Sequence, residues 1–133
     1  IVPYQAFATA DSHLMLTVGN DGQFQRFCGA AGQPELASDP RYATNAARVQ
    51  HRETLIPIVQ ALLSADTTAN WLIRLRAADV PAGPINSIDE VFADAQVQHR
   101  GMRMEMPHPL AGSVPLIANP IRFSATPVEY RQA

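Results

Sequence analysis

Tyr4-Gln-Ala-Phe-Ala-Thr-Ala-Asp-Ser-His-Leu-Met-Leu-Thr-Val-Gly-Asn-Asp-Gly-Gln-Phe-Gln-Arg-Phe27 is the stretch whose reading decides the fold. Two alternating segments, Tyr4 to Thr9 and His13 to Val18, flank the polar Ala10-Asp11-Ser12, which predicts a β-hairpin closed by a short turn. The second segment runs straight into Gly19-Asn20-Asp21-Gly22. There the period changes from two to the spacing of Phe24, Phe27 and Cys28, so a strand passes directly into a helix. Asn20 or Asp21 is the expected cap of that helix. The junction also sets a carboxylate, that of Asp21, beside open backbone N–H groups, where a sheet-supported site is expected.

Working outward, the first helix is expected to stop at Gly32, the residue suited to a left-handed cap. Pro34 to Ser38 makes at most one helical turn, and Asp39-Pro40-Arg41-Tyr42 reads as a turn because proline pushes the preceding residue out of helical geometry. From Asn45, the spacing of Val49, Leu55, Ile58, Val59, Leu62 and Leu63 predicts an amphipathic helix with Arg48, Arg52 and Glu53 on its wet side. Pro57 removes a backbone donor there, predicting a kink or break near Glu53 to Leu55. Thr67 with Asn70 stands where a capping box would be, opening a helix with Trp71, Leu72, Leu75 and Ala78 on its core face and its end at Asp79. Val80-Pro-Ala-Gly-Pro-Ile-Asn86 is too rich in Pro and Gly for a helix or a central strand and reads as an extended connector. Ser87 and Glu90 form a capping box for Ile88 to Phe92, Asp94 caps a further turn, and Gly101 ends it. Met102, Met104 and Met106 alternate with charged residues as in a half-buried strand, with Val114 to Ile117 as its partner. Hairpins at both ends with helices between predict a small two-layer α+β domain spanning residues 1–133.

Composition narrows the function classes. At 133 residues and 47% hydrophobic the chain is long enough for one globular domain with its own core. Its formal charge is −2, and every base is an arginine, spread along the chain. Nucleic acid and anionic membranes are therefore not expected partners. One cysteine excludes an internal disulfide, no 18-residue apolar run is present, and a cytoplasmic protein is the expected setting. The chain opens at Ile1-Val2-Pro3 and stops at Arg131-Gln132-Ala133, which reads as a piece excised from a longer protein.

Five phrases, Val2-Pro-Tyr-Gln-Ala-Phe, Val18-Gly-Asn-Asp-Gly-Gln-Phe, Asp39-Pro-Arg-Tyr-Ala-Thr-Asn-Ala-Ala-Arg, Val80-Pro-Ala-Gly-Pro-Ile-Asn and Glu90-Val-Phe-Ala-Asp, stand in this order and cover nearly the whole chain. Together they resemble the class III coenzyme A transferases, the CaiB/BaiF family, which includes formyl-CoA transferase and α-methylacyl-CoA racemase. The resemblance implies a smaller α+β domain whose large Rossmann-like companion is absent. It also implies an interlocked homodimer in the parent protein. Coenzyme A and acyl-CoA enter as substrates, with a carboxylic acid as the other partner and no tightly bound cofactor. The family's nucleophile is an aspartate of the large domain, and none of the seven aspartates here stands in its context. Residues 1–133 alone are thus expected to be inactive, while the parent transfers CoA between an acyl-CoA and a carboxylic acid. The alternatives are the racemase branch, with α-proton transfer, or a structural and dimerisation module.

One residue carries over from the racemase branch. A Glu that helps move the α-proton there matches Asp21, although Asp is one methylene shorter and Gly22 replaces a proline. The competing reading is that Asp21 only decorates its helix N-terminus. Cys28 reads as a packed thiol, and the three methionines as core or interface. His13, His51, His99 and His108 lack metal-ligand spacing, so no metal is expected. Arg103 and Arg122 are possible phosphate partners, against a reading as solvated surface groups.

Overall fold

The computed structural model describes residues 1–131; Gln132 and Ala133, the last two residues of the expected domain, lie outside the described residues. The chain divides into two compact units, Ile1–Ile85 and Asn86 onward, each taken by itself. The architecture is α+β with antiparallel hairpins at both ends of the chain.

The first unit opens with β1 (Tyr4–Ala8) and β2 (His13–Thr17), in the register Tyr4↔Thr17 to Ala8↔His13. Alternation sends Phe7, Leu14 and Leu16 to one face, where all are buried. Asp11 in the turn reaches across to the N-terminus of α4 (Thr68–Ala77), accepting from the Thr68 N–H at 2.8 Å. That bond is the largest cause holding the Asp11 carboxyl below its usual range.

Helix α1 (Asp21–Ala30) starts where the sequence predicts, with Asn20 as N-cap accepting from the Gln23 N–H at 2.9 Å. The Gln23 side chain answers, its Oε1 accepting from the Gly19 N–H. The helix stops at Gly32, φ +70°, and the Gln33 N–H closes back on the Cys28 carbonyl at 2.9 Å. Phe24, Phe27 and Cys28 are buried, and burial pushes the Cys28 thiol up to about 12, so this group is packing rather than chemistry. Pro34–Ala37 makes one 3-10 turn.

Two expectations change between residues 45 and 63. The helical stretch is divided into α2 (Asn45–Gln50) and α3 (Arg52–Leu63) at His51, and Pro57 lies inside α3 rather than just past a break. Because α3 begins afresh at Arg52, the missing Pro57 donor costs a single bond in its second turn. The larger correction concerns Arg48. It is not on the wet side but fully buried, while Val49 is half exposed. The guanidinium is buried because every direction it offers is answered. Its Nε donates to the Val2 carbonyl at 2.7 Å, Nη1 to the Tyr42 carbonyl at 2.9 Å and Nη2 to Asp21 Oδ1 at 2.8 Å, with the Phe24 ring 4.4 Å away.

Helix α4 buries Trp71 and Leu75, as its spacing predicts, and the Trp71 indole N–H donates to the Leu63 carbonyl at 2.8 Å. Thr67 caps it, but Asn70 does not complete a capping box. Its amide donates to Asp66 Oδ1, which also takes the Thr67 N–H. The helix ends on Asp79 with φ +53°, a left-handed position usually given to glycine, and the Val80 N–H returns to the Leu75 carbonyl. Beyond it the expected connector is a strand. β3 (Ala82–Pro84) pairs antiparallel with β2, giving the order β1-β2-β3. Pro81 and Pro84 are tolerated because β3 lies at the edge. At the other edge, the Gln60 side chain bonds both the N–H and the carbonyl of Ala8.

In the second unit, α5 (Ile88–Ala93) has the predicted Ser87/Glu90 capping box, and Asp94 caps α6 (Ala95–His99). Gly101 stops α6 at φ +62°. β4 (Arg103–His108) and β5 (Gly112–Ile117) form the second hairpin, which extends two residues further toward the turn than the predicted Val114 start. Met106 is buried, while Met102 and Met104 are half-buried.

Replacing Arg48 by Ala leaves two buried carbonyls and a carboxylate without their donor, and the expected cost is about 3–5 kcal/mol by urea denaturation. Asp21→Asn keeps a hydrogen-bonding oxygen at a half-exposed position but removes the carboxylate that faces a fully buried guanidinium, and is expected to cost about 1–3 kcal/mol. Comparable losses in the two variants would contradict this account of the burial. Asp79→Gly relieves the left-handed backbone and is expected to raise stability by roughly 0.5–1 kcal/mol, observable as a higher melting temperature.

Candidate functional site

The strand-to-helix junction holds the predicted site residue where sequence reasoning put it. Asp21 is the first residue of α1, one position inside the Asn20 cap. Its neighbours come from segments far apart in sequence. Oδ1 accepts from the Asn45 N–H at 2.8 Å and from Arg48 Nη2 at 2.8 Å, so one carboxylate oxygen joins α1 to α2. The side chain is nevertheless 47% exposed, against 0% for Arg48. Among the described residues Oδ2 has no hydrogen-bond partner, which leaves a fixed acceptor at the surface of the junction.

Around it the backbone is tightly anchored. The Val2 N–H donates to Asn45 Oδ1 at 3.2 Å while the Val2 carbonyl takes Arg48 Nε, and the Val18 N–H donates to the Pro3 carbonyl at 3.0 Å. Asp21, Asn45, Arg48, Tyr42 and Val2 thus form one connected group. Chemically it offers a carboxylate whose orientation is set by two charge-assisted or backbone bonds, with one oxygen left to accept a hydrogen bond or a proton. Sequence reasoning missed Arg48. Its carboxylate partner lies 27 residues away and its carbonyl partners carry no side-chain signature, so no local pattern marks it.

Cys28 is buried on the core side of α1. Among the described residues no three His, Cys, Asp or Glu side chains are placed to hold one metal ion. Arg103 pairs with Glu105 on β4 at 3.3 Å, and Arg122 donates to the Arg100 carbonyl; both are exposed. In the second unit an open cleft of about 650 Å³ is lined by Asp89, Phe92, Arg103, Leu116 and Ile117. Val80 to Asn86, read as a connector, contributes β3 instead.

Among proteins of known name, the chain is 44% identical over 124 residues to succinyl-CoA:glutarate CoA-transferase of Mus musculus, covering 93% of this chain and 28% of the relative. It is 43% identical over 132 residues to succinate–glutarate CoA-transferase of Agrobacterium fabrum, covering 99% of this chain and 33% of the relative. A crystal structure of a CaiB/BaiF family protein from Brucella suis superposes with a TM-score of 0.85 at 38% identity, over 97% of this chain and 33% of that one. The chain therefore spans about a third of the length of the relatives it matches. The model of CoA-transferase family III matches residues 1–133, the five phrases and the fold agree with it, and the chain belongs to that family.

Proposed function

We propose that this chain is the smaller domain of a CoA transferase that moves CoA between an acyl-CoA and a carboxylic acid. The observation that carries the reading is the match along the whole chain to CoA-transferase family III, together with a span of only about a third of its relatives. In this reading the rest of the parent protein supplies the nucleophilic carboxylate, and residues 1–133 close over that site. A carboxylate nucleophile divides one acyl transfer into easier steps: it displaces CoA from the thioester, and the acceptor acid then takes over the activated position. Overall, an acyl-CoA and a free carboxylate exchange CoA, and no redox partner or metal enters the balance. Coenzyme A is a substrate here, and the parent works as a cytoplasmic homodimer.

The names of the two relatives above support a dicarboxylic acid of four or five carbons as acceptor. Asp21 is the one residue of this chain placed in the chemistry. Its exposed oxygen, held by Arg48 and the Asn45 N–H, suits an acceptor at the wall of a cleft better than a nucleophile. The racemase branch draws no support from the mouse and Agrobacterium relatives, which are transferases by name.

The test is acyl exchange from succinyl-CoA to glutarate, run on the full-length parent and on residues 1–133, with circular dichroism to check that the shorter chain is folded. Turnover by the parent alone is expected. A parent that exchanges no CoA with any carboxylate acceptor sinks the reading. Turnover by the folded 133-residue chain puts the nucleophile inside it. In the parent, Asp21→Asn is expected to lower kcat at least tenfold while the variant remains folded by circular dichroism at the assay temperature; unaltered kinetics remove Asp21 from the chemistry.

A further inference from the structure

The three-stranded sheet has two faces, and only one is accounted for. Phe7, Leu14 and Leu16 point into the core. The residues that alternate with them, Tyr4, Ala6, Ala8, His13, Met15, Thr17, Gly83 and Ile85, make up the other face, with the exposed His13 at its turn end, opposite Ile85. Tyr4 is 56% exposed, Ile85 43% and Met15 38%. A solvated face of an antiparallel sheet normally carries polar and charged side chains. Here 22 charged residues (12 acids and 10 arginines) are available in the chain, and none lies on β1, β2 or β3. Small residues, Ala6 and Gly83, surround Met15 and leave a flat apolar floor between Tyr4 and Ile85.

The chemistry and size of this floor select its occupant. Coenzyme A is a poor cover, because its phosphates call for several cations and the face carries no arginine, only the single imidazole of His13 at its turn end. Strands of five, five and three residues give a floor of roughly 210 Å² at 3.4 Å per residue and 4.8 Å between strands. A stable contact between separate molecules needs about 800 Å² on each partner, so two copies held by this face alone would not persist. A small apolar face works when its cover is covalently tethered and present at high effective concentration. The chain spans about a third of its relatives, so the parent has ample polypeptide to supply one.

We infer that the open face of the β1-β2-β3 sheet is the docking surface for the rest of the parent polypeptide, an apolar layer lying on Tyr4, Met15 and Ile85. The inference rests on the reading of residues 1–133 as one part of a longer protein. Its test uses the full-length parent. Met15→Cys and, as an exposed reference on the outer side of α4, Ile73→Cys are labelled with a maleimide, and a benzophenone amino acid is placed at position 4 for photocrosslinking. Retained CoA exchange, or an unchanged melting temperature, certifies each variant as folded. The expected result is labelling at position 15 at least tenfold slower than at position 73, with crosslinks from position 4 to sequence outside residues 1–133. Equal labelling rates overturn the inference, as do crosslinks confined to residues 1–133 of a second copy, or protection that appears only when acyl-CoA is added. A parent that shows the expected protection but transfers no CoA leaves the docking surface standing and rejects only the function.

Discussion

A fully buried guanidinium organises the first unit. Arg48 brings its positive charge into the protein, and the cost of removing that charge from water is offset only because its bonds are complete: two backbone carbonyls, one carboxylate and an aromatic face. Those partners belong to the segment before β1, the turn before α2 and the first residue of α1. Each is therefore placed relative to the others by a single side chain. The short helix α2, six residues long, would be marginal by itself and is held by this anchor and by the Thr44 cap.

That arrangement explains why a carboxylate at the junction is held in one place. A half-exposed Asp on a helix N-terminus ordinarily samples several rotamers. With Oδ1 engaged by Arg48 and by the Asn45 N–H, Asp21 has one orientation, and its free oxygen has one position. Structural and chemical readings of Asp21 are thus not opposed, because the bonds that make it a fastener also fix it as an acceptor.

Much of the fold was legible because its signals are local. The Asn20 cap, the Gly32 and Gly101 stops, the Ser87/Glu90 box and both hairpins each depend on residues within a few positions of one another. What was misread depends on distant partners. Arg48 was assigned to water from its side-chain type, and nothing nearby announces the carbonyls of Val2 and Tyr42. β3 was read as a connector because Pro and Gly argue against strands, whereas an edge position beside β2 accepts them. Of the candidate site, the carboxylate at the junction was readable from the change of period, and its fixing partners were not.

The prolines flanking and ending β3 also determine how this sheet can grow. The Thr17 N–H bonds the Pro81 carbonyl and the Ile85 N–H bonds the His13 carbonyl, so the odd-numbered positions face β2 and the even-numbered ones face away. Of the outward positions, Ala82 has an N–H to offer and Pro84 has none, so an additional strand finds half of its donors missing. On the opposite side the Gln60 amide already occupies both backbone groups of Ala8. Lateral extension by strand pairing is discouraged at both margins, and a neighbouring layer must approach the sheet from above rather than alongside.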